Sequence, residues 1–554
     1  MYAKSITPRL WLPGARAQMT GRSRLATLCS SVVALLSVSL AFTAPGASAA
    51  APARSVAWKP CPHYSNAVAK YLTQGAVPLS KFRHLMSRLQ CGTVRVPLDY
   101  SQPNSRSITI AVTRLPATDK KHRLGDLVLN PGGPGTSGYL MPIQLITSND
   151  QIAKLNARYN LIGFDPRGVG YSAHVECPSL SQGGPVPYGV LTEQEAETQY
   201  NLTAQQNAAC GHAHPTFLAQ MTTANVARDI NQIRLALGDS RISYFGISWG
   251  TLLGAYYRSM FPSTVSRMWL DSVLGPDASE VYNGNDNAQA TANDYVRMTA
   301  WLAQNNTTYG LGSTYQQVQA TILSEWQQYQ ANALTFTDPN VTVGSTLIAT
   351  TAAQPSLGWP EAGQVLSQLH DATGPTAPEA LQRLTGGGRR PSGPPHGAPE
   401  TMNPAMGQAV ECNTDAGRQS FPAAWATYEQ QVNKFPVTGE LMPPASAGGR
   451  CAGWPLPTQP SRLRHEPGSL VLSGHSYETI TPYLWARQMQ TTIGGTLFTV
   501  TDDMHGSVRQ VPQCSADLVA YFDTGNAGAS GCTGVPTPSQ PGSSSQPGTG
   551  HGHG

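Results

Sequence analysis

The chain has 554 residues, 36 Lys and Arg against 32 Asp and Glu, a formal charge of +4, and nine cysteines. So thin a basic excess excludes the dense cationic face that a nucleic-acid binder needs. With 40% hydrophobic, 8% aromatic and only 12% charged residues, the chain can bury a large core, which excludes a disordered protein and predicts about two or three domain-sized units.

Residues 1–24 carry Lys4, Arg9, Arg16, Arg22 and Arg24 and no acid, and 25–42 are mostly Leu, Val, Ala and Ser. Pro45-Gly46 breaks the run before the small residues Ala47-Ser48-Ala49. This is the three-part layout of a secretory signal peptide over 1–49, cleaved near Ala49. The apolar run is too short and too rich in serine for a membrane anchor, and Arg22-Ser23-Arg24 is not a twin-arginine pair. Removing 1–49 leaves 31 basic against 32 acidic residues and eight cysteines, since Cys29 goes with it.

Strands are predicted at 91–100 and 107–115, where β-branched residues alternate between turn formers, and buried-type strands at 126–130, 159–165 and 241–245. Between the last two, Val226, Ile230, Ile233 and Leu237 have helical spacing, and Gly238 supplies the stop. Strand–helix–strand repeats of this kind predict a parallel sheet covered on both faces. After a strand at 267–270, residues 277–466 change character. Amphipathic helical patterns at 315–326 and 423–432 appear without clear strands, and 386–395 is a Gly/Pro loop. Strand patterns resume at 470–473 and 495–500, so the middle stretch reads as a helical insertion between late strands of one sheet. The expected organisation is a signal peptide over 1–49, a sheet domain in two parts (50–276 and 467–532), a helical cap over 277–466, and a disordered tail over 533–554. His551 and His553 lie in that tail and read as solvated.

Gly246-Ile247-Ser248-Trp249-Gly250 is the only G-x-S-x-G in the chain. It ends a strand and opens a helix-like run at 251–261, the placement a nucleophile elbow needs to lift the Ser248 hydroxyl clear of the sheet. An earlier loop, Asn130-Pro131-Gly132-Gly133-Pro134-Gly135-Thr136-Ser137-Gly138, contains a literal G-x-G-x-x-G, and Asp165 ends the next strand. A dinucleotide site is the competing reading. Pro131 and Pro134 oppose it, because they remove N–H groups a pyrophosphate would need. The better reading is an oxyanion hole built from the N–H groups of Gly133 and Trp249.

In folds with such an elbow the triad runs in the order Ser, acid, His. His505, in Asp502-Asp503-Met504-His505-Gly506, follows the last predicted strand and is the expected base. His475 follows a strand too, but leaves no room for an upstream acid. For the acid, Glu478 is ranked ahead of Asp503, which sits too close to His505 in sequence to point back at it. No H-E-x-x-H or P-loop occurs, so neither metal nor cofactor is expected.

These residues resemble the secreted bacterial tripeptidyl aminopeptidases, α/β-hydrolases related to proline iminopeptidases, over nearly all of the chain past the signal. The likeness rests on Trp58 with Cys61, on Cys91-Gly92-Thr93-Val94-Arg95-Val96-Pro97-Leu98-Asp99-Tyr100, and on the loop Gly132-Gly133-Pro134-Gly135. It continues through Asp165-Pro166-Arg167-Gly168-Val169-Gly170-Tyr171-Ser172 and Ser248-Trp249-Gly250-Thr251. Phe261-Pro262, Leu270-Asp271, Glu411-Cys412-Asn413 and Thr481-Pro482-Tyr483 complete it. Two departures stand out: the family shows Asp where Glu478 stands, three residues before the Thr-Pro pair, and Gly where Met504 precedes the histidine.

The resemblance implies an α/β-hydrolase fold with a mostly parallel central sheet and a helical cap. It also implies a secreted, extracellular serine exopeptidase releasing short peptides from free N-termini, and a structural role for Asp271. It favours pairing consecutive cysteines: Cys61 with Cys91, Cys177 with Cys210, Cys412 with Cys451, and Cys514 with Cys532. Each such bridge contributes about 3–4 kcal/mol by the chain-entropy model. Glu411 and Asp415 are the candidates to anchor the substrate ammonium group, against a reading as solvated surface charge. A secreted carboxylesterase is the alternative, because the same triad cleaves esters without an amine anchor. The expected partners are peptides with a free N-terminus, with no nucleic acid and no membrane, and the expected state is a monomer.

Overall fold

The computed structural model describes residues 55–539, except 105, 182–186, 278, 387–392, 415–416 and 445–447. The signal segment, most of the 386–395 loop, Asp415, His551 and His553 therefore lie outside the described residues. Among those described, the strands before the insertion are β1 (Ala57–Lys59), β2 (Gln90–Pro97), β3 (Ser107–Leu115), β4 (Gly125–Asn130), β5 (Tyr159–Phe164), β6 (Ile242–Ile247) and β7 (Val265–Asp271). A hairpin of β8 (Leu334–Thr337) and β9 (Asn340–Val343) lies within the insertion. After it come β10 (Leu470–His475), β11 (Thr496–Val500) and β12 (Gly531–Cys532).

Ten of these strands make one sheet in the order β1-β2-β3-β5-β4-β6-β7-β10-β11-β12. The β1/β2, β2/β3 and β3/β5 pairs are antiparallel, and every later pair is parallel. β6 and β10 are buried at all six positions, as expected of parallel strands covered on both faces. Successive side chains alternate between two cores. Val128, Tyr244 and Leu472 enter one, with the Thr223–Leu237 helix. Leu127, Phe245 and Val471 enter the other, with the Pro512–Thr524 helix. The Thr223–Leu237 helix is capped by Thr222, whose hydroxyl accepts the Asn225 N–H, and stops at Gly238 in the left-handed region (φ 82°), a conformation that favours glycine.

The segment between β7 and β10 divides its loyalties. Helices Glu280–Gln304, Tyr315–Ala331 and Trp359–His370 share a core of their own, with Met298, Ile322 and Trp359 at its centre. The Pro404–Thr414 helix instead sends Ala405, Met406, Ala409 and Val410 into a core of the sheet. The expectation of no strands in this segment is corrected by β8–β9, which the pattern missed because each strand has four residues. β1 and β12, of three and two residues, escaped for the same reason. Residues 533–539 of the tail expected from Thr533 lie against the rest of the protein. The Val535 N–H donates to Asp502 (2.8 Å) and the Trp301 indole donates to the Pro538 carbonyl (2.7 Å).

Four disulfides join Cys61 to Cys91, Cys177 to Cys210, Cys412 to Cys451, and Cys514 to Cys532. Among the described residues no helix is long and apolar enough to cross a membrane.

Candidate active site

β6 delivers Ser248 into the turn before the Trp249–Met260 helix with φ 58° and ψ −129°. A non-glycine residue there is strained, and such strain collects at nucleophile elbows. The turn is closed by contacts only glycine permits: a Cβ on Gly246 would lie 2.4 Å from the Gly250 carbonyl oxygen, and one on Gly250 2.7 Å from Asn130 Oδ1. The Ser248 N–H donates to the Asp271 carbonyl at the end of β7 (3.1 Å).

The loop after β4 lies against this serine. A Cβ on Gly132 would stand 2.8 Å from Ser248 Cβ and 3.4 Å from its Oγ. Asn130 Oδ1 accepts the Gly132 N–H (3.0 Å). From outside, the insertion pins the loop: Ser137 N–H donates to Thr401 O and Asn403 N–H to Gly135 O, both at 2.9 Å. Gly133 and Trp249 line one cavity of about 260 Å³.

His505 and Glu478 come together from the loops after β11 and β10. The His505 Nδ1 is hydrogen-bonded to Glu478 Oε1 in a very short contact. Ser272, itself at φ 52°, joins the two loops: its hydroxyl donates to Glu478 Oε2 (3.0 Å) and accepts the Gly506 N–H (2.7 Å). A Cβ on Gly506 would lie 3.0 Å from Ile247 Cγ2, so the histidine turn rests on the residue preceding Ser248. Burial pushes the Glu478 carboxyl up, but the adjacent His505 and, behind it, His475 outweigh that and hold it below the usual carboxylate range.

The remaining acid and histidine candidates have other partners. Asp503 accepts the Ser356 N–H (2.9 Å) and hydroxyl (2.8 Å) and pairs with Arg297 (3.3 Å), all three donors coming from the insertion. His475 is enclosed between Asp271 and Asp502. Glu411 lines the same cavity as Gly133 and Trp249, and its Oε2 lies 2.8 Å from Arg450 Nε. Both residues of this ion pair are next in sequence to the Cys412–Cys451 bridge, which holds them opposite one another.

Sequence reasoning missed Ser272, hidden because it directly follows a strand and belongs to no motif. It also missed the cavity wall from the Glu280–Gln304 helix, where Asn283 and Asn287 stand one turn apart. Asn287 donates to the Thr479 and Ile480 carbonyls (2.6 and 2.8 Å) and so ties the insertion to the Glu478 loop.

A doubly covered parallel sheet, a strained Ser elbow, a glycine loop against it and a buried acid–histidine pair behind the late strands define an α/β-hydrolase. A family model described as alpha/beta hydrolase fold matches residues 127–367, and one described as TAP-like protein matches 435–534. The tripeptidyl aminopeptidase of Streptomyces coelicolor is 32% identical over 82% of this chain and 84% of its own. Serine protease Hip1 of Mycobacterium tuberculosis is 26% identical over 80% and 86%, and carboxylesterase B of the same organism 28% over 78% and 84%. Among solved structures, the proline iminopeptidase of Mycobacterium smegmatis covers 78% of this chain and 98% of its own, at 12% identity and a TM-score of 0.33. The chain belongs to the tripeptidyl aminopeptidase family, and it is a serine peptidase.

Proposed function

We propose that this protein is a secreted exopeptidase that releases tripeptides from the free N-termini of peptides through an acyl-enzyme. The observation that carries the reading is the Ser248 elbow with the Gly132-Gly133 loop against it, beside a cavity that has Glu411 in its wall. Ser248 Oγ attacks the scissile carbonyl while His505 takes its proton, and His505 then gives that proton to the leaving amine. Glu478 accepts the Nδ1–H of His505, which fixes the tautomer and offsets the positive charge that forms on the ring. The N–H groups of Gly133 and Trp249 donate to the oxygen that becomes negative. Water then cleaves the acyl-enzyme by the same proton relay run in reverse. The insertion over 277–466 serves as a cap that closes one end of the cleft, and Glu411 receives the substrate ammonium group there. Export is supported by the signal-like segment and the four disulfides. The working form is a monomer with no nucleic-acid or membrane partner.

The test is mass spectrometry of the products from one defined peptide, offered with a free and with an acetylated N-terminus. Release of three residues from the free form only is the expected result, and the same data read whether four residues leave instead and whether proline precedes the cut. Ser248→Ala abolishes the reaction and Glu411→Gln erodes the preference for the free amine. Equal cleavage of the acetylated peptide sinks the exopeptidase reading, and turnover of a simple acyl ester with no amide cleavage favours a carboxylesterase, as one relative is named.

A further inference from the structure

Behind Glu478 lies a second buried set of ionisable groups that the reaction above does not use. His475, the last residue of β10, has Nδ1 2.7 Å from Asp502 Oδ1 and Nε2 3.0 Å from Asp271 Oδ1. All three side chains are fully shielded from solvent. Asp271 Oδ1 also accepts the Ser473 hydroxyl (2.6 Å). Asp502 Oδ2 accepts the Ser507 hydroxyl (2.6 Å) and the Val535 N–H (2.8 Å). Asp502 thus accepts at both oxygens and Asp271 at Oδ1, while Asp271 Oδ2 makes no hydrogen bond. An imidazole that faces an acceptor on each nitrogen carries a proton on each, so His475 is an imidazolium. Burial opposes this, but the Asp271 and Asp502 hydrogen bonds together with the nearby Glu478 hold its proton far above the usual histidine range. The half-buried Arg509 is a further charged group near Asp271.

Buried charges of this kind are seldom needed for stability, since apolar packing of the same volume does as well. Their placement points elsewhere, because each of the three is a near neighbour of a working group. The Asp271 carbonyl accepts the Ser248 N–H, and the next residue, Ser272, bridges Glu478 and Gly506. His475 lies three residues before Glu478, and Asp502 three before His505. One cation thereby joins the end of β7, the end of β10 and the loop after β11.

We propose that His475, held as a cation between Asp271 and Asp502, is a positioning residue for catalysis that fixes the spacing of the Glu478 and His505 loops and places positive charge behind the Glu478 carboxylate. The proposal rests on the Ser248–His505–Glu478 reading. The experiment compares His475→Gln with the unaltered protein and with Ser248→Ala on the free-amine peptide across pH. His475→Gln is expected to lower kcat about a hundredfold, the scale of a misplacement of about 1 Å at the reacting groups, with KM unchanged. It also moves the acidic limb of the kcat/KM profile to higher pH, because without the nearby cation the Glu478 carboxyl takes up its proton at higher pH. An undiminished kcat, or a fall in rate with the limb unmoved, overturns the proposal. Activity surviving in Ser248→Ala removes the triad reading and this proposal with it, whereas a dead Ser248→Ala beside an undisturbed His475→Gln sinks the proposal alone. Should His475→Gln not fold, nitrogen-15 NMR of the histidine rings of the unaltered protein at neutral pH decides. Two protonated ring nitrogens on His475 are expected, and a neutral single tautomer overturns the proposal.

Discussion

Glu478 carries one methylene more than the aspartate that the resemblance leads one to expect at this place, and its two oxygens serve different partners. One meets His505 and the other accepts the Ser272 hydroxyl, so the longer side chain spans from the histidine to the bridge between the two loops. Glu478→Gln keeps the shape and removes the charge that fixes the His505 tautomer. A fall in kcat of about 10³–10⁴-fold is expected, on the scale of acid removal in other serine triads, and single-turnover kinetics with an activated substrate would read it. The same carboxyl bears on acid stability. Its folded-state proton affinity is depressed, so its contribution is complete above the unfolded value of about 4.3 and is lost as pH falls through the lower folded value. Urea unfolding of Glu478→Gln should therefore show less acid-side loss than the unaltered protein.

At the scale of elements, the sheet was legible where strands are buried on both faces, because β4, β5, β6 and β10 read as continuous apolar runs ending in Gly or Pro turns. The elbow was legible for the same reason: strand, serine and helix follow one another in sequence. Ser272, Asn287 and the Asp503–Ser356 contact were not, because they meet across the insertion and only the folded chain brings them together. Within the insertion, Glu325 is enclosed with one oxygen on His370 (3.0 Å) and the other without a hydrogen bond. Burial pushes its pKa up to about 8. A raised carboxyl binds its proton more tightly when folded, so this group costs stability as pH rises from the unfolded value towards 8. Glu325→Gln is expected to raise the melting temperature above about pH 8 and to leave it unchanged under acid conditions, where the native side chain is already neutral. Calorimetry at the two ends of that range checks it.

Over the whole molecule, the sheet domain is tied by a fully buried arginine–aspartate pair. Arg167 donates to both oxygens of Asp229 at 2.7 Å and to the Leu98 carbonyl at 2.8 Å, while Tyr100 donates to Asp229 at 2.7 Å. This links the chain after β2, the turn after β5 and the Thr223–Leu237 helix. Asp229→Ala leaves the guanidinium buried without its partner, and the expected cost is about 3–5 kcal/mol, read as a lower denaturant midpoint with the four disulfides intact.

The disulfides have a consequence in time as well as in space. Counted from Cys61, the cysteines are bonded in consecutive pairs, with partners 30, 33, 39 and 18 positions apart in sequence. A chain that emerges N-terminus first can thus oxidise in order of appearance and reach its final connectivity, one of 105, without breaking a bridge once made. Counted from Cys29, the same rule would join Cys29 to Cys61 and Cys91 to Cys177, and every later bridge would be wrong. On the proposed export, withdrawal of Cys29 with residues 1–49 before Cys61 meets an oxidant would keep that ordered route open and so set the register of the whole covalent frame.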